Sequence, residues 1–344
     1  MRVSRQPTEP IVGRLLKLCE ALDSAGARVG EWFGGDPLAV LDQRIELLGL
    51  QAPASPSVSF GGKARMVRCF DGWAAVSLPR PEDVEAVAAW LELGHSTAAD
   101  HDPWPVVVQG CASRSTAEVI ERAALLGLAV SAVGERCEDT QAVLAERVGE
   151  APAIEPANLV VANLGSLWAA PLAAQMLRRM GARVITVEST ERPDGARATP
   201  RFFQALHEGT EFVSMPFGTP AGRRSLAELL QSVDVVIEGS RPRALQQLGI
   251  DARQMVEHGP RLWVSITAHG RSEPWANRAG FGDDAAAAGG LVRWVDGSPA
   301  FVADAIADPL SGLTAAEAIA TLASGGDRWI VDIALARVAA SFAA

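Results

Sequence analysis

Residues 159–189, LVVANLGSLWAAPLAAQMLRRMGARVITVES, decide how this chain is read. Leu159 to Ala162 is a short apolar run of the kind that fills a strand covered on both faces. Asn163, Gly165 and Ser166 break that run, and the small and unbranched residues from Ala170 to Met180 favour a helix. Arg183 to Val187 is a second apolar run, ending on Glu188. The stretch Asn158 to Leu177 carries no charge and has the length of a membrane span. Asn163, Gly165, Ser166, Pro171 and Gln175 divide it into strand, turn and helix start, so no span is expected there.

Downstream the alternation continues. Phe212 to Pro216, Val233 to Glu238, Leu262 to Thr267 and Arg328 to Ile333 read as strands. Ser225 to Ser232, Arg243 to Leu248, the stretch after Asp284 and the C-terminus read as helices. Uncharged strands between helices predict an α/β fold, a Rossmann-like, mostly parallel sheet with helices on both faces, over residues 156–344. Upstream, residues 55–150 predict a smaller α+β domain. Ala64 to Cys69 and Trp73 to Leu78 flank a hairpin signal at Asp71-Gly72, and a helix opens at Pro81 and runs through Leu93. Val106 to Gln109 reads as a strand, Ser115 to Leu126 as a helix and Ala129 to Val133 as a last strand. Residues 1–54 read as helical, with Ile11, Leu15, Leu16 and Leu18 on one face and a second run from Leu38 to Leu48. Residues 51–62 and 149–156 read as connectors.

The chain has 344 residues, 48% of them hydrophobic and 21% charged, enough for two packed cores. Its net charge of -10 and the lack of a basic stripe exclude general nucleic-acid binding. Cys19, Cys69, Cys111 and Cys137 form no C-x-x-C pair and are expected to be reduced core thiols in the cytoplasm. The histidines lack metal-ligand spacing, and His101 reads as surface. The first ten residues lack the apolar core of a signal peptide.

The chemistry points to Ala303-Asp304-Ala305-Ile306-Ala307-Asp308-Pro309-Leu310-Ser311-Gly312. Asp308 falls where an extended run gives way to a helix, with Pro309 suited to the first turn. Ser311, Gly312, Ala315 and Ala316 leave room for a close neighbour. From spacing alone Asp308 is a helix N-cap, a general base or a nucleophile. Asp304 is expected to face elsewhere, and Asp283 and Asp284 to line the site or to cap a helix. Glu188 and Glu238 each end a strand at the sheet edge where ligands bind, Glu238 with the alternative of pairing with Arg241 or Arg243. A nicotinamide site is disfavoured, since the turn after the first strand has no G-x-G-x-x-G.

Several of these runs resemble family III CoA-transferases, also called the CaiB/BaiF family. Residues 159–189 are similar to the family's opening strand–helix–strand, with its L-G-A-x-V-I-K-V-E close. Arg192 to Arg197 (RPDGAR) resembles the loop that follows. VDVVIEGSRPRALQQLGI, Val233 to Ile250, resembles D-V-V-I-E-x-x-R-P-x-x-L-x-x-L-G, and PRLWVSITAHGRSEPW, Pro260 to Trp275, resembles P-R-L-x-x-x-S-I-T-x-x-G. GFGDDAAAAGGLV and DAIADPLSGLTAAEAI are similar to the stretches beyond, the latter to the aspartate-bearing helix. GGKARMVRCFDGWAAVSLPRPEDVEAVAAW, Gly61 to Trp90, resembles the family's smaller domain. In most members that domain follows the Rossmann-like half; here it comes first, a permuted order.

The resemblance implies CoA transfer from an acyl-CoA to a carboxylic acid through an aspartyl anhydride and an aspartyl-CoA thioester, with Asp308 as nucleophile. It implies CoA contacts at Leu167, Trp168, Ala169, Glu188, Arg192, Arg197, Arg241 and Arg243. CoA and acyl-CoA would be substrates, with no permanently bound cofactor and no metal. It also implies a cytoplasmic, interlocked homodimer with no nucleic-acid or membrane partner. Two alternatives remain: an α-methylacyl-CoA racemase-like enzyme and a non-catalytic acyl-CoA-binding homologue. The racemases carry a His where this chain has Phe281, and Phe281 holds no proton. The family's Asn-x-Gly-Lys run reads His207-Glu208-Gly209-Thr210, and Gln247 stands where Arg is common.

Overall fold

The computed structural model describes residues 7–93 and 102–344; His101 lies outside them. Three strands, β1 (Ala64–Arg68), β2 (Trp73–Ser77) and β3 (Ala129–Ala132), form a small antiparallel sheet in that order. Ser115 caps the Thr116–Leu126 helix by accepting from Glu118 N–H at 3.2 Å, and Gly127 ends it in the left-handed conformation. The expected strand at Val106 to Gln109 is instead part of the Trp104–Ala112 helix. Trp104, Val107 and Cys111 are its buried residues. They are three and four apart, a helical spacing that a short run of valines hides. The helix expected from Pro81 through Leu93 is two short helices, Pro81–Glu85 and Val87–Trp90.

The large sheet is built from β4 (Val143–Gly149), β5 (Val160–Asn163), β6 (Arg183–Ser189), β7 (Glu211–Met215), β8 (Val235–Glu238) and β9 (Leu262–Thr267). After a hairpin of β10 (Val292–Val295) and β11 (Ser298–Phe301), β12 (Arg328–Ala334) completes it. Its order is β4-β12-β9-β8-β5-β6-β7, all neighbours parallel except β4 with β12. Without β4 this is the doubly wound order, with the reversal between β5 and β8, where ligands bind in open α/β sheets. Sequence reading missed β4. Its residues are mostly exposed, as an edge strand's can be, so no apolar pattern marks it. Through β4 the 55–150 stretch enters the large sheet.

The Ala307–Gly325 helix is buried almost all round. It packs on the Ala169–Arg179 helix and on the N-terminal Glu9–Ser24 helix. Gly312 permits the first contact: a Cβ there would lie 2.6 Å from the carbonyl oxygen of Ala169 and 3.0 Å from Leu172 Cβ. Ile11, Leu15, Cys19 and Leu22 put the N-terminal helix into the same core as the large sheet. Cys19, Cys69 and Cys111 are buried, whereas Cys137 is exposed, against the expectation of four core thiols. Among the described residues no helix is long and apolar enough to cross a membrane.

Candidate active site

At the β5–β8 reversal the chain after β5 makes a tight turn. Asn163 Oδ1 accepts from Gly165 N–H at 3.0 Å, and a Cβ on Gly165 would lie 2.2 Å from Ala170 Cβ. Leu167 adopts φ 70 and donates its N–H to Asp194 Oδ1 at 3.0 Å. This turn is one wall of a cavity of about 540 Å³. Leu48, Leu167, Trp168, Phe202 and Phe281 supply apolar surface, Asp283 and Asp308 carboxylates, and Arg44, Lys63 and Arg80 positive charge. Trp168 is buried, meets Phe202 edge-on at 5.4 Å, and has an Nε1 with no hydrogen-bond partner among the described residues.

Asp308 lies in the first turn of the Ala307–Gly325 helix, but the N-cap is Ile306. The aspartate's own N–H donates to Ala305 O at 2.9 Å. Its carboxylate is turned toward Gly282, whose backbone hydrogen-bonds it. Ala303 and Ala305 hold φ of 50 and 43, a left-handed conformation that L-residues rarely adopt and that neighbouring contacts must enforce. One such contact is visible: Ala305 N–H donates to Asp283 Oδ1 at 3.0 Å.

This turn also corrects the expectation for Asp304. Rather than facing away, Asp304 is fully buried and binds Arg44 side-on, Nε to Oδ2 at 2.6 Å and Nη2 to Oδ1 at 2.7 Å. Asp284 is buried, accepting from Ser77 Oγ at 2.7 Å and from Phe281 N–H at 2.9 Å, so it ties the small sheet to the helix that carries Asp283.

Burial pushes the carboxyls of Asp283, Asp284 and Asp308 up to about 7 each. For Asp308, Arg44 opposes the rise, while Asp284 and Asp304 add to it. For Asp283, Asp304 adds and Arg44 opposes. For Asp284 the hydrogen bonds from Ser77 and Phe281 oppose it. Burial alone would push Arg44 down, but its bonds to Asp304 and the charges of Asp304, Asp283 and Asp308 hold it above its ordinary value. A carboxyl in the unfolded chain titrates near about pH 4. The stability these three groups contribute is therefore complete below that pH and lost as the pH rises through about 7. Thermal melts at about pH 5 and about pH 8 check this: the melting temperature of Asp308→Asn is expected to fall less between them than that of the wild type. Equal falls would show that Asp308 titrates at an ordinary pH.

The residues expected to hold CoA do not form a single cluster. Leu167 and Trp168 line the cavity with Asp308. Ala169 does not; it is buried, with its carbonyl against Gly312. Glu188 and Arg197 bind each other, Arg197 Nε to Oε1 at 3.0 Å and Nη2 to Oε2, and Glu188 also accepts from Asp194 N–H. The Arg197 bond holds the Glu188 carboxyl below its usual range, against burial. Glu238 is buried and pairs with neither Arg241 nor Arg243; its Oε2 accepts from Ser240 N–H and Oγ, each at 2.8 Å. Burial pushes its pKa up.

Arg241 and Arg243 line a groove of about 330 Å³ with Arg80. Burial, then the charges of Arg243, Arg80 and Arg192, push the Arg241 guanidinium down; Glu82 and Asp83 also line the groove, and Asp83 binds Arg80. Among the described residues Arg192, Arg241 and Arg243 have no carboxylate partner. Arg80 lines both the groove and the carboxylate cavity and thereby joins them.

Sequence reading missed Arg44, Lys63 and Arg80. Arg44 stands in a short amphipathic stretch, and Arg80 precedes a Pro-Glu-Asp helix start, so both read as ordinary surface charge. Only the packing of the N-terminal segment and small sheet against the large sheet brings them to Asp308.

Residues 157–344 match the profile described as CoA-transferase family III. The chain is 30% identical over 177 residues to the succinate–glutarate CoA-transferase of Agrobacterium fabrum, covering 46% of this chain and 44% of that protein. It is 27% identical over 192 residues to the succinyl-CoA–D-citramalate CoA-transferase of Chloroflexus aurantiacus, covering 51% and 48%. A crystal structure of a CAIB/BAIF family protein from Brucella suis aligns over 55% of each chain, with 28% identity and a TM-score of 0.49. The chain thus spans about half the length of the curated relatives it matches. The profile match, covering more than half of the 344 residues, settles the family: this chain belongs to CoA-transferase family III.

Proposed function

We propose that this protein moves CoA from an acyl-CoA to a free carboxylic acid, with Asp308 as the nucleophile. The observation that carries the reading is a carboxylate lining a largely apolar cavity, hydrogen-bonded by backbone at Gly282 and in no ion pair among the described residues. Such a group keeps a free oxygen for attack, and an apolar wall limits hydrolysis of an activated acyl group. The groove beyond Arg80 suits the phosphates of CoA, since planar guanidinium groups bind phosphate oxygens in pairs. The pantetheine arm would then run past Arg80 toward Asp308.

The steps balance as two exchanges. An oxygen of Asp308 attacks the thioester carbonyl, the C–S bond breaks, and CoA leaves as thiolate, giving an acyl-aspartyl anhydride. The thiolate attacks the aspartyl carbonyl and releases the donor acid as its carboxylate, leaving aspartyl-CoA. An acceptor carboxylate attacks that thioester and expels thiolate, and the thiolate takes the acceptor acyl group from the new anhydride. Asp308 is regenerated and no water is consumed.

The working assembly we propose is a cytoplasmic homodimer, on the family resemblance. Within one chain the cavity already has walls from the N-terminal segment, the small-sheet region and the large sheet. The test of the reaction is trapping with hydroxylamine during turnover, followed by peptide mass spectrometry. A hydroxamate on Asp308 is expected when acyl-CoA is present and absent when it is omitted. Exchange without any such adduct would overturn the assignment.

A further inference from the structure

Arg44 lies outside the stretch that matches the family, on the Gln43–Leu48 helix of the N-terminal segment. We propose that Arg44 is a positioning residue that keeps Asp308 ionised while leaving one of its oxygens free, by binding Asp304 in its place. The inference rests on the reading of Asp308 as nucleophile.

The geometry separates charge from contact. Arg44 Nε and Nη2 both point at Asp304, whose carboxylate is fully buried. The guanidinium also lies over the Trp168 ring, 5.9 Å from its centre. A direct two-pronged bond from Arg44 to Asp308 would keep that carboxylate charged but occupy both oxygens. With Asp304 as the bonded partner, the positive charge reaches Asp308 and Asp283 through space alone. The left-handed Ala303 and Ala305 flank Asp304 in the turn before Asp308, and Asp304 lies near enough for its charge to act on the Asp308 carboxyl.

The charges around Asp308 show what Arg44 opposes. Asp283 and Asp284 come from the Gly282–Ala288 helix and Asp304 from the turn before Asp308; Lys63 and Arg80 line the same cavity from the small-sheet region. Arg44 lowers the Asp308 carboxyl, against burial, Asp284 and Asp304. Without it the carboxyl would be neutral over more of the physiological range, and a neutral carboxyl is a poor nucleophile.

The experiment compares wild type, Arg44→Met, Arg44→Lys and Asp304→Asn by two readouts. One is the pH profile of kcat and KM for CoA exchange. The other needs no turnover: titration of the infrared carboxyl band that Asp308→Asn removes. Arg44→Met is expected to move the band's midpoint and the acidic limb of kcat upward by about one pH unit or more, with KM for acyl-CoA little changed. Arg44→Lys should restore most of the shift. Asp304→Asn should move the band downward, because the released guanidinium then reaches Asp308, and should lower kcat at every pH. A band that titrates alike in wild type and Arg44→Met, or, where that variant does not fold, alike in wild type and Asp304→Asn, overturns the proposal. Failure of the wild type to exchange CoA at all would instead sink the transferase reading, and the infrared titration would still decide the role of Arg44.

Discussion

Asp308→Ala is expected to lower CoA exchange by about four orders of magnitude, the scale on which loss of a covalent nucleophile falls. The same change should leave the melting temperature at neutral pH unchanged or raise it. The carboxyl is held at a pKa of about 7 chiefly by burial, which means that the fold bears a cost for keeping it charged. A structural acid would behave in the opposite way, losing stability and keeping part of the activity. The measurement is a mass-spectrometric exchange assay over a panel of acyl-CoAs and acids, run beside a thermal melt. Equal exchange by wild type and variant would remove Asp308 from the mechanism.

Gly282→Ala carries the second large effect, and here geometry rather than chemistry decides. A Cβ at this position would lie 2.4 Å from Asp308 Oδ2 and 2.4 Å from the carbonyl oxygen of Ala305. Ala305 has little room to retreat, being held in a left-handed conformation with its N–H on Asp283. The helix that begins at Gly282 and the turn before Asp308 must therefore move apart. Overpacking of this kind costs about 1–3 kcal/mol. A displacement of about 1 Å at a nucleophile costs on the order of a hundredfold in kcat. Both losses are expected together, read by denaturant titration and by steady-state kinetics. Full activity with unchanged stability would mean that the carboxylate does not sit against Gly282 in solution.

Much of the large sheet was legible because its signal is local. β5, β6, β8, β9 and β12 are short apolar runs closed by polar or small residues, and covered strands have little alternative to that composition. β4 was not legible, since most of its residues are exposed and nothing apolar marks them. The helix at Trp104–Ala112 was mistaken for a strand because β-branched valines carry a strand preference that tertiary packing overrides. At the site, Asp308 stood out by its place beside Pro309 and a run of small residues. Asp304, four residues earlier, did not, since its partner Arg44 is distant in the chain and its two neighbours, Ala303 and Ala305, hold a left-handed conformation that alanine does not signal.

By itself the sequence determined most of the strand and helix alternation of the large sheet and the room for a close neighbour at Gly312, and it singled out Asp308 as the candidate carboxylate, because each is written in neighbouring residues. Only the tertiary structure decided which charges meet that carboxylate. Arg44 and Asp304 are 260 positions apart, and Arg80 and Arg241 come from different sheets' loops. Electrostatic interaction depends on distance and burial in space, and no local pattern along the chain encodes either one.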